Sequence, residues 1–200
     1  MGRRNYLISG VSGAGKTAVC TALQRRGYQA IDGDREGAYQ GDADTGHPTD
    51  GLKHEHSAPC ISAHHIWDVE QVQALVANQE EAVTFFCGGS RNSSQYLALF
   101  DGVLVLAVDL DTSLRRMDER VARDPTDWGG TPAEREITVR MYHTKAALPH
   151  NGTLIDASAP RARASWTRSF VKATHLHHAR AFCTQRVPGS TQRARVVRRS

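Results

Sequence analysis

Gly10-Val11-Ser12-Gly13-Ala14-Gly15-Lys16-Thr17 has the spacing G-x-x-x-x-G-K-[ST], a pattern whose chemistry is the holding of a polyphosphate. Glycines let the main chain curl with its N–H groups pointing inward, where side chains would block the anion. A helix beginning at the end of the loop adds the positive end of its dipole. Lys16 would reach the β- and γ-phosphates, and the Thr17 hydroxyl would ligate magnesium. Gly10, Ser12, Gly13, Ala14, Gly15 and Ala18 then complete the expected nucleotide site. A glycine-rich turn that fits the spacing by accident is the bland alternative, and the flanks argue against it. Tyr6-Leu7-Ile8-Ser9 reads as a short buried strand, and Ala18, Val19, Ala22 and Leu23 recur at helical spacing before Arg25-Arg26-Gly27.

Further along, Asp32-Gly33-Asp34 places two carboxylates just past a second strand, Tyr28–Ile31. They can hold magnesium or grip a substrate hydroxyl, although an aspartate-glycine turn has the same look. Gly88-Gly89-Ser90-Arg91 is a tight turn after the apolar run Ala82–Cys87. It delivers Arg91 to the carboxyl edge of a sheet, where open α/β sheets bind their ligands, so Arg91 is read as a substrate-anion site. Arg116 and Arg120 share one helical stripe at i, i+4. The loop Asp124–Gly130 that follows reads as a short lid able to lower these arginines, with Arg123, onto phosphate. His47, His54, His56, His64 and His65 lack metal-ligand spacing and read as solvated loop histidines.

These groups need elements to carry them. Residues 35–64 are polar and weakly periodic and read as a mobile loop or short helices, a binding region by its length. Asp68 reads as the N-cap of a helix through about Glu80, with Trp67 a core residue at its start. A helix is expected around Ser94–Phe100, then a buried strand over Gly102–Val108. Asp109–Thr112 leads into the arginine-bearing helix. Thr131-Pro132-Ala133-Glu134 is a capping box opening a helix through about Leu148. Gly152–Asp156 reads as a fifth strand, and Ala157–Pro160 as a small-residue loop. Strands alternating with helices imply a parallel sheet.

The chain's 200 residues suit one domain, and no apolar run approaches a membrane span. No secretory signal precedes the first strand, and the four scattered cysteines suit reduced thiols, so a cytoplasmic protein is expected. The net charge of +4 is uneven. Residues 1–156 hold 15 basic and all 21 acidic residues, a net −6, whereas residues 157–200 carry +10. The body therefore has no reason to prefer nucleic acid. Residues 161–200 read as a partly helical, then disordered, basic extension. A solvated tail, a polyanion-binding arm and an altered reading frame at the gene's end are the three readings open for it. His175-Leu176-His177-His178 with Cys183 reads only weakly as a metal site.

In combination these motifs resemble the adenylate kinase and shikimate kinase group of small P-loop phosphotransferases over about residues 5–160. The resemblance implies an α/β three-layer P-loop NTPase fold, a five-stranded parallel sheet in order 2-3-1-4-5 with helices on both faces. It implies a lid at about 123–131 and an acceptor-binding region at about 33–66. Asp32 and Asp34 sit like shikimate kinase's D-x-D, implying metal binding for Asp32 with Thr17, and acceptor binding for Asp34. Phe86–Arg91 is similar both to adenylate kinase's D-G-F-P-R and to shikimate kinase's glycine run, so Gly88, Gly89 and Arg91 would line the acceptor site. Arg120 and Arg123 fall at lid-arginine positions, Arg140 at the arginine beyond the lid, and Ala157 and Pro160 in the adenine-facing loop. Cys87 departs from adenylate kinase's aspartate, and the third glycine of shikimate kinase is absent, so no acceptor is named.

The expectation is an ATP- and magnesium-dependent kinase for a small hydroxylated or anionic acceptor, or a nucleotide. Lys16, Asp34 and Arg120 would carry its chemistry. The alternatives are a P-loop regulator or scaffold that binds ATP without transfer, and a nucleic-acid-associated ATPase recruited by the tail.

Overall fold

A computed structural model describes residues 4–49, 57–78, 80–146 and 148–158. Pro160, His54, His56 and the whole of the 161–200 extension, with its histidine and cysteine candidates, lie outside the described residues. Along the chain run β1 (Arg4–Gly10), α1 (Lys16–Gln24), β2 (Gln29–Asp32), α2 (Gly33–Glu36), β3 (Ala38–Gln40), α3 (Ala58–Ala63) and β4 (His65–Trp67). They are followed by α4 (Val69–Ala77), β5 (Val83–Cys87), β6 (Gly102–Ala107), α5 (Leu110–Val121), α6 (Pro132–Thr144) and β7 (Thr153–Asp156).

The main sheet is parallel with order β2-β5-β1-β6-β7. Numbering only its own strands along the chain gives 2-3-1-4-5, the order that the resemblance implies. The side chains show why helices must cover both faces. Tyr6, Ile8, Phe85 and Cys87 point into one apolar cluster with Val19, Cys20 and Leu23 of α1, while Leu7 and Phe86 point into a second with Trp67, Val72 and Tyr96. Period-two alternation along strands whose centres, Tyr6–Ile8 and Phe85–Cys87, are apolar at successive positions requires this double burial. Among the described residues no helix is long and apolar enough to cross a membrane.

Several expectations about elements are corrected. Residues 35–64, expected as a mobile loop or short helices, do contain the short helix α3 and the end of α2, but they also contain a strand: β3 pairs antiparallel with β4, Tyr39 opposite Ile66, to make a separate two-stranded ribbon. Trp67 belongs to that ribbon rather than to a helix start. The segment at 94–100 is two 3-10 turns, Ser93–Gln95 and Leu97–Leu99, not one helix. Tyr96 between them is fully buried, its hydroxyl 2.7 Å from Ser90 Oγ, which fixes the chain before an α-turn can propagate. Helix α4 starts at the expected cap, Asp68, but ends at Ala77. The Asn78 side chain there accepts from the Glu80 amide and competes with the helical ladder. Helix α6 has the full capping box at Thr131 and Glu134, and it stops at Thr144 because Lys145 adopts a left-handed conformation (φ 55°).

Candidate functional site

The phosphate loop turns between β1 and α1 through left-handed glycines at Gly13 (φ 77°) and Gly15 (φ 105°), and Gly15 is the N-cap of α1. Two side chains of α5 brace it from beneath. The Ser113 hydroxyl donates to the Ser12 carbonyl at 2.6 Å, and a Cβ on Gly13 would overlap the Ser113 main chain. Arg116 is buried and donates to the carbonyls of Ala14 (3.2 Å) and Ala157 (2.8 Å). It is therefore a strut joining the loop to the end of β7, not an arginine waiting on a lid. Its charge lies under the phosphate cradle, where a buried guanidinium satisfied by carbonyls still adds positive potential. Ala157, itself buried, is held to β6 through its N–H on the Ala107 carbonyl. Ala18, in the first turn of α1, is half-buried beside the loop.

Arg120, one turn beyond Arg116, reaches the other side of the loop. Its Nη2 lies 3.4 Å from Ser12 Oγ and donates to the Trp128 carbonyl, and its Nε is 3.2 Å from Asp127 Oδ2. Thus one guanidinium links the phosphate loop to residues 127 and 128 of the segment expected to be a lid. Arg123 points to solvent.

Lys16 extends back over the loop. Its Nζ donates to the Gly10 carbonyl at 2.9 Å and lies 4.0 Å from Asp34 Oδ2. The two carboxylates after β2 behave differently. Asp32 is buried, and that burial together with the neighbouring Asp34 pushes its carboxyl upward, opposed by a hydrogen bond from Thr17 and by Arg35 and Lys16. Asp34 is also penalised by burial. His65, Lys16 and the Gly89 amide outweigh that penalty and hold its carboxyl below the usual range.

Thr17 and Asp32 fit a magnesium ion on the chemistry of their donors: a hydroxyl and a carboxylate, both hard oxygens, beside a second carboxylate whose repulsion a cation would relieve. No group of three His, Cys, Asp or Glu suited to a metal exists among the described residues. Phosphate and water oxygens would have to complete such a shell, as this ion ordinarily requires. Cys87 offers no ligand. It pairs with Asp32 in the β2–β5 register but its side chain is fully buried in the core, and the hydrogen bond to Cys20 and burial hold the thiol well above its ordinary range.

Past β5 the chain passes Gly88 and Gly89 to Arg91. Arg91 donates through Nε to the Ser62 carbonyl (2.7 Å) and through Nη2 to Ser62 Oγ (2.6 Å), so α3 aims it. Burial, with the nearby positive charge of Arg140, lowers its affinity for its proton. Like charges close enough to act on one another are what a bound anion would relieve. Arg140, on α6, is itself exposed.

Two residues of this site escaped sequence reasoning. His65, expected to be a solvated loop histidine, has Nε2 at 3.4 Å from Asp34 Oδ1. Trp67 is core as expected, yet its indole Nε1 donates to the same oxygen at 3.2 Å. Their alternation with buried Ile66, two residues apart on one strand, was the available signal.

The indole also explains two glycines. A Cβ on either Gly33 or Gly88 would overlap the Trp67 ring, and on Gly88 it would stand 2.5 Å from Asp34 Oδ1. Gly88 adds a backbone φ of 152°. Gly88→Ala is therefore expected to cost roughly 2–5 kcal/mol from strain and overpacking together. Denaturant unfolding measures it, and a loss under 1 kcal/mol would contradict this packing.

The comparisons agree with this architecture. A family model described as AAA domain matches residues 7–138. The crystal structure of a gluconokinase from Sinorhizobium meliloti 1021 is similar at 17% identity and TM-score 0.52, covering 91% of this chain and 98% of that one. A shikimate kinase from Acinetobacter baumannii, solved with shikimate, is similar at 15% identity and TM-score 0.52, covering 87% and 94%. No curated protein matches the chain by sequence. At such identities the structural likeness establishes a shared fold.

Proposed function

Because the chain belongs to the AAA domain family, we propose that it is an ATP- and magnesium-dependent phosphotransferase acting on a small hydroxylated or anionic acceptor. The observation that carries this reading is the position of the Lys16 ammonium, 2.9 Å from the Gly10 carbonyl and 4.0 Å from Asp34 Oδ2. A phosphate-loop cation and a carboxylate thereby share one cleft, as transfer between bound partners requires. The resemblance of the fold to a gluconokinase and a shikimate kinase supports it.

In this reading the loop amides, Lys16 and Arg120 hold the triphosphate and neutralise charge on the migrating group. Thr17 and Asp32 would hold magnesium, whose contribution is further neutralisation of the phosphate oxygens. Asp34 orients the acceptor hydroxyl and takes its proton at Oδ2. Arg91, with Arg140 behind it, binds the acceptor's anionic group, and Gly88 and Gly89 bring main chain close to it. By the resemblance, the loop that starts at Ala157 would border the base. The acidic body favours a small molecule over nucleic acid as partner, and the same reading places the enzyme in the cytoplasm without a membrane partner.

The buried, protonated Cys87 favours one rival, a nucleotide-binding regulator without transfer. A panel of polyols, sugar acids and nucleoside monophosphates with ATP and magnesium separates the two. ADP release stimulated by at least one acceptor is the expected outcome. Tight ATP binding with no stimulation by any of them would favour the regulator.

A further inference from the structure

We infer that His65 and Trp67 are positioning residues for Asp34: with the Gly89 amide they saturate Oδ1 and leave Oδ2 as the one oxygen presented to the reacting groups. This rests on the reading of Asp34 as the acceptor's base. Oδ1 faces the Gly89 N–H at 3.0 Å, Trp67 Nε1 at 3.2 Å and His65 Nε2 at 3.4 Å. Oδ2 faces the Lys16 ammonium at 4.0 Å. A carboxylate oxygen cannot donate, so the His65 nitrogen turned towards it carries a proton whichever charge the ring bears. The contact therefore does not depend on the ionisation of the imidazole.

The donors are themselves held. Asn92, almost wholly buried, accepts from the Trp67 amide at 3.1 Å and donates to the Trp67 carbonyl at 2.8 Å, as a neighbouring strand would. Its Oδ1 also accepts from Ser90 Oγ at 2.6 Å. The indole stacks on Tyr96 at 5.3 Å between centroids and 8° between planes. The His65 carbonyl accepts from the Arg91 amide at 2.9 Å, which registers the histidine against the loop that carries Arg91. An aspartate at the start of the four-residue helix α2 would otherwise be free to turn either oxygen to the cleft. Misplacing a reacting group by an ångström costs about 10²-fold in rate, so such a clamp has a measurable consequence.

The test uses variants of the full chain, singly and combined, beside Asp34→Asn. Trp67→Phe keeps a ring on Tyr96 and deletes the N–H, His65→Ala deletes the second donor, His65→Gln restores an N–H, and Asp34→Ala deletes the acceptor. The Trp67 indole resonance, assigned by its loss in Trp67→Phe, is expected to move on Asp34→Ala; a resonance that stays in place overturns the contact without any need for an acceptor. In turnover with magnesium-ATP and the panel acceptor that wild type uses, the Trp67→Phe/His65→Ala double variant should lose about 10²-fold in kcat. Its KM for ATP should be unchanged, and His65→Gln in place of His65→Ala should recover most of the loss. Wild-type kcat in the double variant, where Asp34→Asn is inactive, overturns the clamp and leaves the kinase reading intact. Full activity in Asp34→Asn removes the base role from Asp34 instead, and the indole shift still decides the contact.

Discussion

Lys16→Ala is expected to abolish nucleotide-dependent turnover, by about 10³-fold or more, while the protein keeps its fold. The magnitude follows from what is removed: the ammonium above the loop, a charge acting on phosphate oxygens in a site partly shielded from water, where such a donor contributes about 3–4 kcal/mol to a transition state. The fold survives because the side chain spans the cleft rather than the core. Its nitrogen bonds one main-chain carbonyl, that of Gly10, and faces Asp34 across 4.0 Å. Removing it vacates a partly buried position beside the loop, not one in the apolar core between sheet and helix. Steady-state turnover beside thermal unfolding measures both halves of the expectation. Undiminished turnover in this variant would remove the phosphate role from Lys16.

Asp34→Asn should lower kcat by about 10²–10⁴-fold, with ATP affinity within a few-fold of wild type. The substitution is well matched to the site. An asparagine of the same shape can still accept from the Gly89 amide and from the indole, so the loop after β5 and the ribbon stay in place. What disappears is the negative charge and the capacity to take a proton. The result also divides acceptors by chemistry. A hydroxyl acceptor must lose its proton and feels the full effect, whereas a phosphate acceptor is already ionised and needs no base. A fall of less than about threefold would point to the second class.

The phosphate half of this cleft was legible in the sequence because its determinants are local. A glycine spacing, a strand before it and a helix after it suffice, and the same is true of the capping box at Thr131 and Glu134. The other half was only partly legible. Asp34 and Arg91 stood out by their position after strands, but what holds them did not. Asp34 depends on His65 and Trp67, thirty-one and thirty-three residues on, and Arg91 on Ser62, twenty-nine residues before it. Non-local contacts of this kind leave no periodic trace. Strands β3 and β4 are three residues each, too short for alternation to outweigh the polar composition around them. Arg116 was misread for a related reason: its stripe is the same whether the guanidinium meets solvent, phosphate or, as it does, two carbonyl oxygens far apart along the chain, those of Ala14 and Ala157.

The two-stranded ribbon has an evolutionary corollary. It is hydrogen-bonded as a sheet of its own, apart from the five strands that seat the phosphate loop, so, apart from His65 and Trp67, which hold Asp34, its residues can vary without breaking a hydrogen bond of the main sheet. Under the proposed function, preference for one small molecule over another would be open to drift, or to exchange by engineering, in this ribbon while the five strands stay constant.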